Sequence, residues 1–307
     1  MMIVTYLLLY PVAVYIFFPT FWHNPFSEFT EAVTWMSYFP LDVKTFFMGV
    51  TVHSLDTPWY YALVWMGITI PLAWWLFFCV GIIAAIILLL KERGISFLHW
   101  LLMLLWFGIP LGVAIVLHSA MYDDARHLFF IYPSFILIMV LGIRFLLQKK
   151  IFQKKLQLIV RASTSVILLT TTIYVAIFMI RFHPYQYVYF NLIGRKYATD
   201  YFEKDYWGLS YRSAMEFLVQ YDKSKSINVS WQVDPGEWNL AWLNNYDRQR
   251  LHLNRKPGQY DYFITGFRRQ HPADASDQKI FEVKVQGITI MAVYKMHPLN
   301  AAHTSSP

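Results

Sequence analysis

Charged residues are scarce in this sequence, and cysteine is almost absent. Asp, Glu, Lys and Arg together make up 15% of the 307 residues, whereas apolar residues make up 57%. A water-soluble domain usually has about a quarter charged and about half apolar residues, so this balance argues against one. The only cysteine, Cys79, lies inside an apolar run, which excludes an internal disulfide and a cysteine-based metal site.

The sequence also lacks the common signatures of soluble enzymes. It has no phosphate-binding P-loop, no dinucleotide fingerprint, no HExxH pair and no nucleophile elbow. The net charge of +7 would suit a nucleic-acid partner. Many of the cations, however, lie in short loops between apolar runs, where they set the orientation of membrane helices. We therefore predict membrane lipid as the surroundings and no nucleic acid as a partner.

Long apolar runs fill the first 182 residues. A helix needs about 20 mostly apolar residues to cross the ~30 Å hydrocarbon core of a bilayer. Residues 1–182 are therefore predicted to form an all-α membrane bundle of about five spans. The predicted helices cover residues 3–19, 62–90, 97–118, 127–147 and 163–181.

Two local patterns modify these spans. Between the first and second, Phe26, Phe29, Val33 and Met36 recur at helical spacing, which predicts a short amphipathic helix lying on the membrane. In the long second run, Pro71 is expected to kink the chain.

Basic residues in the short loops predict the orientation. Lys91 and Arg93 follow the second span, and a larger basic cluster separates the fourth span from the fifth. Because loops rich in Lys and Arg stay in the cytoplasm, both loops are assigned to that side. An odd number of crossings then places residues 183–307 on the non-cytoplasmic face. The larger cluster consists of Lys149, Lys150, Lys154, Lys155 and Arg161.

Residues 183–307 are predicted to form a small soluble α/β domain. Ser210 to Tyr221 has helical periodicity, and residues 227–233 and 260–265 have the composition of strands. Residues 280–285 and 288–294 indicate a hairpin across Gln286 and Gly287. A domain of this length is large enough to bury its own core.

The loop from Tyr122 to His127 carries candidate phosphate ligands. Arg126 offers a fork of hydrogen-bond donors and His127 adds another, so the two could hold a phosphate near the bilayer surface. Alternatively, Asp123 or Asp124 pairs with Arg126 and only caps the next helix. Two adjacent aspartates without further carboxylates are a weak metal signal, so no metal site is assigned and a divalent metal has no support.

Aromatic and polar residues after the fifth span are candidates for sugar binding. Aromatic rings stack against the C–H faces of sugars, and amide or carboxylate groups bond sugar hydroxyls. The alternative is an aromatic belt at the membrane interface, which Tyr and Trp favour. The candidates are His183, Tyr185, Gln186, Tyr189, Asn191, Asp205, Tyr206 and Trp207.

A series of short motifs in order resembles a known family. It resembles the carboxy-terminal part of bacterial membrane glycosyltransferases of the GT-C superfamily, in the branch of protein O-mannosyltransferases and aminoarabinose transferases. The motifs are FWHNP (21–25), TPWYYALVW (57–65), YDDARHLFFIYP (122–133), HPYQYVYFN (183–191) and DYWGLS (205–210).

This resemblance implies an enzyme of the bacterial inner membrane with a periplasmic carboxy-terminal domain. Its donor would be a polyprenyl-phosphate sugar and its acceptor a hydroxyl on a protein, lipid or glycan. The resemblance makes Arg126 and His127 contacts of the donor phosphate. A non-catalytic protein of the same fold, binding a polyprenyl lipid, a glycan or a partner subunit, is the alternative.

The resemblance leaves the catalytic base unassigned. In this family the base is usually an Asp in the first outer loop near the amino terminus, and it acts on the acceptor hydroxyl. The first residues of this chain already match a late span, so that loop is expected to be missing. An amino-terminal companion polypeptide would then supply it.

Overall fold

The computed structural model of this chain describes residues 2–37, 42–148, 153–232, 235–256, 258–267 and 278–296. These residues are mostly helical, with one small mixed sheet and one separate hairpin. The chain divides into two compact units, Met1–Asp42 and Val43–Pro307. The predicted boundary at residue 182 therefore lies inside the second unit.

The described residues of the first unit form two helices joined by a turn. Helix α1 spans Met2–Phe17, and a 3-10 turn at Pro19–Trp22 leads to helix α2 at Pro25–Ser37. Within the turn the Trp22 indole donates to the carbonyl of Tyr15 at 2.8 Å. The helix predicted from Phe26 to Met36 is confirmed as α2, and its place on the membrane surface stays a prediction.

Four helical segments of the described chain are long and apolar enough to cross a membrane, which is typical of a membrane protein. The predicted first span, residues 3–19, forms the 16-residue α1, which is shorter than these four. The four are helix α4 at Leu72–Lys91, helix α5 at Ile95–Val116, the segment Arg126–Gln148 and helix α7 at Lys154–Arg181. Helix α3 at Tyr61–Thr69 precedes them, and Arg126–Gln148 comprises a 3-10 turn at Arg126–Ile131 and helix α6 at Tyr132–Gln148.

The helices differ in their bounds from two of the predicted spans. Residues 62–90, predicted as one span, form α3 and α4 with a break at Ile70 and Pro71. Proline has no N–H to donate and disfavours helical geometry in the residue before it, so the break falls there. Helix α7 begins at Lys154, well before residue 163, so Lys154 and Lys155 lie on its first turn.

Helices α4 and α6 pack closely through two glycines. A Cβ atom on Gly81 would lie 1.9 Å from the carbonyl oxygen of Ile138, and one on Gly142 would lie 2.0 Å from that of Phe77. Glycine lets two helix backbones approach in a way that no other residue permits. The helices are therefore in backbone contact at this crossing.

A short antiparallel hairpin precedes α3 and was not predicted from the sequence. Strand β1 at Lys44–Phe47 pairs with strand β2 at Val50–His53 across Met48 and Gly49, both of which have positive φ. Such a two-residue turn matches the twist of paired strands.

The carboxy-terminal part of the second unit is a mixed α/β layer. Its strands are β3 (Ile227–Trp231), β4 (Leu251–Leu253), β5 (Tyr262–Thr265), β6 (Gln278–Val285) and β7 (Ile288–Lys295). Their order in the sheet is β4-β3-β5-β7-β6; β4, β3 and β5 are parallel, and β7 runs antiparallel to both β5 and β6. The predicted helix and strands are confirmed, with shifts of up to two residues at the strand ends; residue 233, the end of one predicted strand, lies outside the described residues. The helices are α8 (Leu192–Tyr201), α9 (Ser210–Tyr221), α10 (Pro235–Asn239) and α11 (Asn245–Arg250), with a 3-10 turn at Leu240–Trp242.

Helix α9 covers this sheet and supplies much of its core. Tyr211, Met215 and Leu218 form one buried face of the helix and belong to the same cluster as Val229 and Ile264 of the sheet. Fixing α9 on the sheet matters for function, because the segment just before the helix carries aromatic residues of the candidate site.

Candidate functional site

The guanidinium of Arg126 lies among three aromatic rings. Its central carbon lies 4.8 Å from the ring centre of Tyr122, 4.9 Å from that of Trp207 and 5.8 Å from that of Tyr206. Its Nη2 lies 3.0 Å from Oδ2 of Asp123. We call these five residues the arginine box. The structure thus brings a predicted phosphate ligand together with two predicted sugar contacts.

Two donor groups of the arginine remain open in the box. Among the described residues, the Arg126 guanidinium forms one ion pair, through Nη2 with Asp123, and Nε and Nη1 have no recorded polar partner. A guanidinium presents five N–H donors in a planar fork, so Nε and Nη1 can bind an oxyanion. The Asp123–Arg126 pair of the predicted alternative is therefore also present, but no side chain caps the Arg126–Ile131 turn that follows.

The loop before Arg126 has an unusual backbone. Asp123 and Asp124 have φ values of 55° and 71°, in the left-handed region that residues with a side chain rarely occupy. Both side chains are buried. Backbone of this kind is concentrated at functional sites, where the surrounding structure holds it in place.

Asp124 is a buried carboxyl whose own loop partly stabilises its charge. Burial raises the pKa of Asp124 to about 7, although the hydrogen bond from the Ala125 amide and the nearby Arg126 both lower it. Near neutral pH this carboxyl is therefore partly protonated. That reduces the negative charge that an incoming oxyanion would meet.

Asp205 holds the turn that carries Tyr206 and Trp207. Its carboxylate accepts hydrogen bonds from the Leu209 amide at 3.1 Å, from the Ser210 amide at 3.0 Å, and from the hydroxyls of Tyr187 and Ser210. Burial raises the pKa of Asp205 even though these four bonds favour the carboxylate. All four donors belong to this chain, so Asp205 positions the part of the arginine box that Tyr206 and Trp207 form.

Tyr206 is coupled electrostatically to the aspartate loop. Burial raises the pKa of its hydroxyl, the charges of Asp124 and Asp123 raise it further, and Arg126 lowers it. The Tyr206 ring also lies edge-on to Tyr187, at 5.3 Å between ring centres. Tyr187 therefore links the segment HPYQYVYFN (183–191), called the HPYQ segment below, to the arginine box. The sequence did not reveal this role.

A second polar cluster lies beside the box and was also missed. Glu203, almost fully buried, accepts a hydrogen bond from the Thr45 hydroxyl at 2.7 Å, and that hydroxyl lies 3.4 Å from the one on Tyr61. The next residue, Lys204, is buried too, and burial lowers its pKa to about 8. In the sequence, a run of three charged residues between aromatic residues could have indicated this cluster; the run is Glu203, Lys204 and Asp205.

The predicted sugar contacts of the HPYQ segment bond mainly to nearby helices. Nδ1 of His183 lies 2.7 Å from Nε2 of Gln186, which also donates to the carbonyl of Met179 at 3.2 Å. The hydroxyl of Tyr185 bonds Ser213 of α9 at 2.7 Å. The ring of Tyr189 packs on Phe178 of α7 at 4.9 Å, and burial raises the pKa of its hydroxyl to about 12.

Asn191 uses all its hydrogen-bonding positions within the protein. Its amide nitrogen donates to the carbonyls of Gly67 and Ile70 at 2.6 and 2.7 Å, where α3 gives way to α4. Its oxygen accepts from the amides of Ile193 and Gly194, both at 3.0 Å, and so caps α8. We call this arrangement the Asn191 clamp. It leaves no position for a sugar hydroxyl.

His127 lies beside the box, exposed at the surface. Its ring contacts Tyr122 edge-on at 4.7 Å between ring centres. Tyr122 therefore contacts both predicted phosphate ligands. In the described parts of the chain no group of three or more His, Cys, Asp or Glu residues could hold a metal ion.

Comparisons of the chain with protein-family models, curated proteins and solved structures found no match. The function is therefore inferred from the geometry of the box and from its place at the start of the apolar segment Arg126–Gln148.

Proposed function

We propose that this chain is a membrane glycosyltransferase, or the carboxy-terminal part of one. It transfers a sugar from a polyprenyl-phosphate donor to a hydroxyl acceptor at the outer face of a bacterial inner membrane. The observation that carries the proposal is the arginine box, in which Arg126 keeps Nε and Nη1 open between three aromatic rings.

The chemistry of this transfer requires a cation at the phosphate. When the bond between the sugar carbon and the phosphate oxygen breaks, polyprenyl phosphate leaves with an additional negative charge. A guanidinium fixed beside that oxygen stabilises the developing charge, and partial exclusion of water strengthens the effect. Asp123 and the rings hold Arg126 in place before the donor arrives, so little reorganisation is needed.

The position of the box suits a lipid headgroup. Arg126 is the first residue of the apolar segment Arg126–Gln148, so its guanidinium lies at the end of a candidate membrane span. Lys91 ends α4, while Lys154 and Lys155 begin α7. If α5 and the Arg126–Gln148 segment each cross once, these lysines share the cytoplasmic side and the box faces the opposite side.

The rings of the box provide a surface for the sugar. Trp207 is 53% exposed while one side of it contacts Arg126 and Tyr206. The sugar attached to a bound phosphate can stack on this ring. This arrangement favours a donor site over an aromatic belt alone.

The test is release of lipid phosphate from radiolabelled polyprenyl-phosphate sugars by the purified chain. Arg126→Ala is expected to reduce transfer by about 10² to 10³, the usual loss when one charge-stabilising donor is removed. Arg248→Ala removes an exposed arginine of α11 and serves as the matched control.

No turnover of any donor by the unmodified chain would reject catalysis by this chain alone. Binding of radiolabelled polyprenyl phosphate that is lost in Arg126→Ala would then support the non-catalytic alternative.

A further inference from the structure

A second concave surface lies in the α/β layer, and none of its residues belongs to the arginine box. It is a cleft of about 540 Å³ between α9 on one side and the Leu240–Trp242 turn with α11 on the other. Two large aromatic side chains of this cleft, Trp242 and Tyr246, are 69% and 68% exposed. We call it the α9 cleft.

Each exposed ring is supported from one side by a cation. The guanidinium carbon of Arg212 lies 5.5 Å from the ring centre of Trp242, and that of Arg250 lies 5.6 Å from the ring centre of Tyr246. Such contacts favour one orientation of an aromatic ring. With cations on one face and high exposure, the rings present fixed surfaces to a ligand.

Arg250 makes the Tyr246 side of the cleft rigid. It is buried, and it donates to the carbonyls of Val219 and Ser224 at 3.0 Å each and to Asp247 at 3.0 Å. These bonds join the end of α9 to α11. The two walls of the cleft are therefore fixed to each other before any ligand binds, which lowers the entropic cost of binding.

Polar groups between the rings suit hydroxyl groups. Gln220 lines the cleft, and its amide makes no hydrogen bond to the described residues. Asn244 and Asp247 line the opposite wall and bond each other at 2.7 Å. Side-chain amides and carboxylates offer both donors and acceptors, as a saccharide hydroxyl does.

The charges of the lining indicate a neutral ligand. Glu216 and Asp247 contribute two negative charges, and Lys223 and Arg250 contribute two positive ones, so the formal charges cancel. A phosphate or an acidic polymer would favour a net positive lining. The two carboxylates also disfavour immersion of these rings in an anionic bilayer surface.

We propose that the α9 cleft binds a neutral carbohydrate chain, with the rings of Trp242 and Tyr246 stacked on sugar faces and with Gln220 and Asn244 bonding hydroxyls. Helix α9 connects the two sites. It begins at Ser210, which bonds Asp205, and Gln220 lies ten residues later, roughly 15 Å along the axis at 1.5 Å per residue. The proposal does not require sugar transfer at the arginine box.

The test measures binding of neutral tetrasaccharides of glucose, mannose, galactose and N-acetylglucosamine to the full chain. The chain is kept in a detergent without a sugar headgroup, because a glycoside detergent would compete. Saturation-transfer NMR and tryptophan fluorescence report binding. Trp242→Ala and Tyr246→Ala are each expected to weaken binding about tenfold or more, whereas Trp242→Phe retains most of it.

Trp238→Ala is the matched control, because Trp238 is 70% exposed and does not line the cleft. Its binding should equal that of the unmodified chain. Failure of the unmodified chain to bind any of the four tetrasaccharides overturns the proposal, as does unchanged binding by Trp242→Ala. Stronger quenching by brominated lipids in the unmodified chain than in Trp242→Phe would also overturn it, because the Trp242 ring would then contact the bilayer. None of these results affects the donor-release assay, so the two proposals fail separately.

Discussion

The Asn191 clamp and the arginine box are two polar clusters with opposite hydrogen-bonding states. In the clamp, one amide satisfies two carbonyls and two backbone amides, and no position is left open. In the box, Arg126 is held by one carboxylate and three rings, and Nε and Nη1 have no partner among the described residues. A saturated polar group stabilises the fold, whereas an open one can bind a ligand. Residue type alone does not separate the two.

The largest expected effect on the free energy of unfolding comes from removing the Asn191 amide of the clamp. Asn191→Leu keeps the side-chain size but leaves the carbonyls of Gly67 and Ile70 and the amides of Ile193 and Gly194 without their partner. Each unsatisfied buried group costs about 1–3 kcal/mol, so a loss of several kcal/mol is expected. Thermal unfolding in detergent measures it, with the exposed Asn245→Leu as control. Equal unfolding temperatures for the two variants would contradict the structural role of the clamp.

The next effect concerns the pH dependence contributed by Asp124. Its pKa in the folded chain is about 7 against 3.8 in the unfolded chain. Between these values the folded state retains a proton that the unfolded state has released, so stability falls as pH rises from about 4 to about 7. Above that window the contribution is constant.

Asp124→Asn removes this dependence. A shift of about three pKa units corresponds to at most about 4 kcal/mol, so the variant should be more stable than the unmodified chain at pH 8 and similar at pH 4. Unfolding in detergent across this pH range measures the difference. Parallel curves for the two proteins would show that Asp124 is not buried as the structure places it.

The smallest effect on stability is expected at the exposed ring of the box. Trp207→Ala removes one cation–π contact with Arg126, worth about 0.5–1 kcal/mol at an exposed site. Unfolding should therefore change little while donor binding weakens, because the proposed function stacks the sugar on this ring. A titration with radiolabelled polyprenyl-phosphate sugar beside an unfolding curve separates these effects. A large loss of stability with unchanged binding would assign Trp207 to the scaffold.

Local patterns in the sequence predicted several elements well. The helical periodicity of residues 210–221 gave α9, and the alternation around Gln286 and Gly287 gave the hairpin of β6 and β7. Pro71 marked the break before α4 because its ring restricts the backbone wherever it occurs. Strands β1 and β2 were missed, since four-residue strands are too short to show alternation clearly.

Contacts between distant segments could not be predicted in the same way. Arg126 and Trp207 lie far apart in the sequence, and their contact depends on Asp205 fixing the turn before α9. The sequence grouped Asn191 with possible sugar contacts because asparagine can bond hydroxyls. Only the fold reveals that backbone groups of α3 and α8 already use that amide.

The backbone contact between Gly81 and Gly142 has a mechanical consequence for the box. With no side chain between them, α4 and α6 cannot slide or rotate past each other without collision, so the two helices behave as one rigid pair. Arg126 begins the 3-10 segment that leads into α6, and Pro71 lies directly before the start of α4. The helix pair therefore holds the guanidinium at a fixed height along α4, opposite the turn that Asp205 fixes.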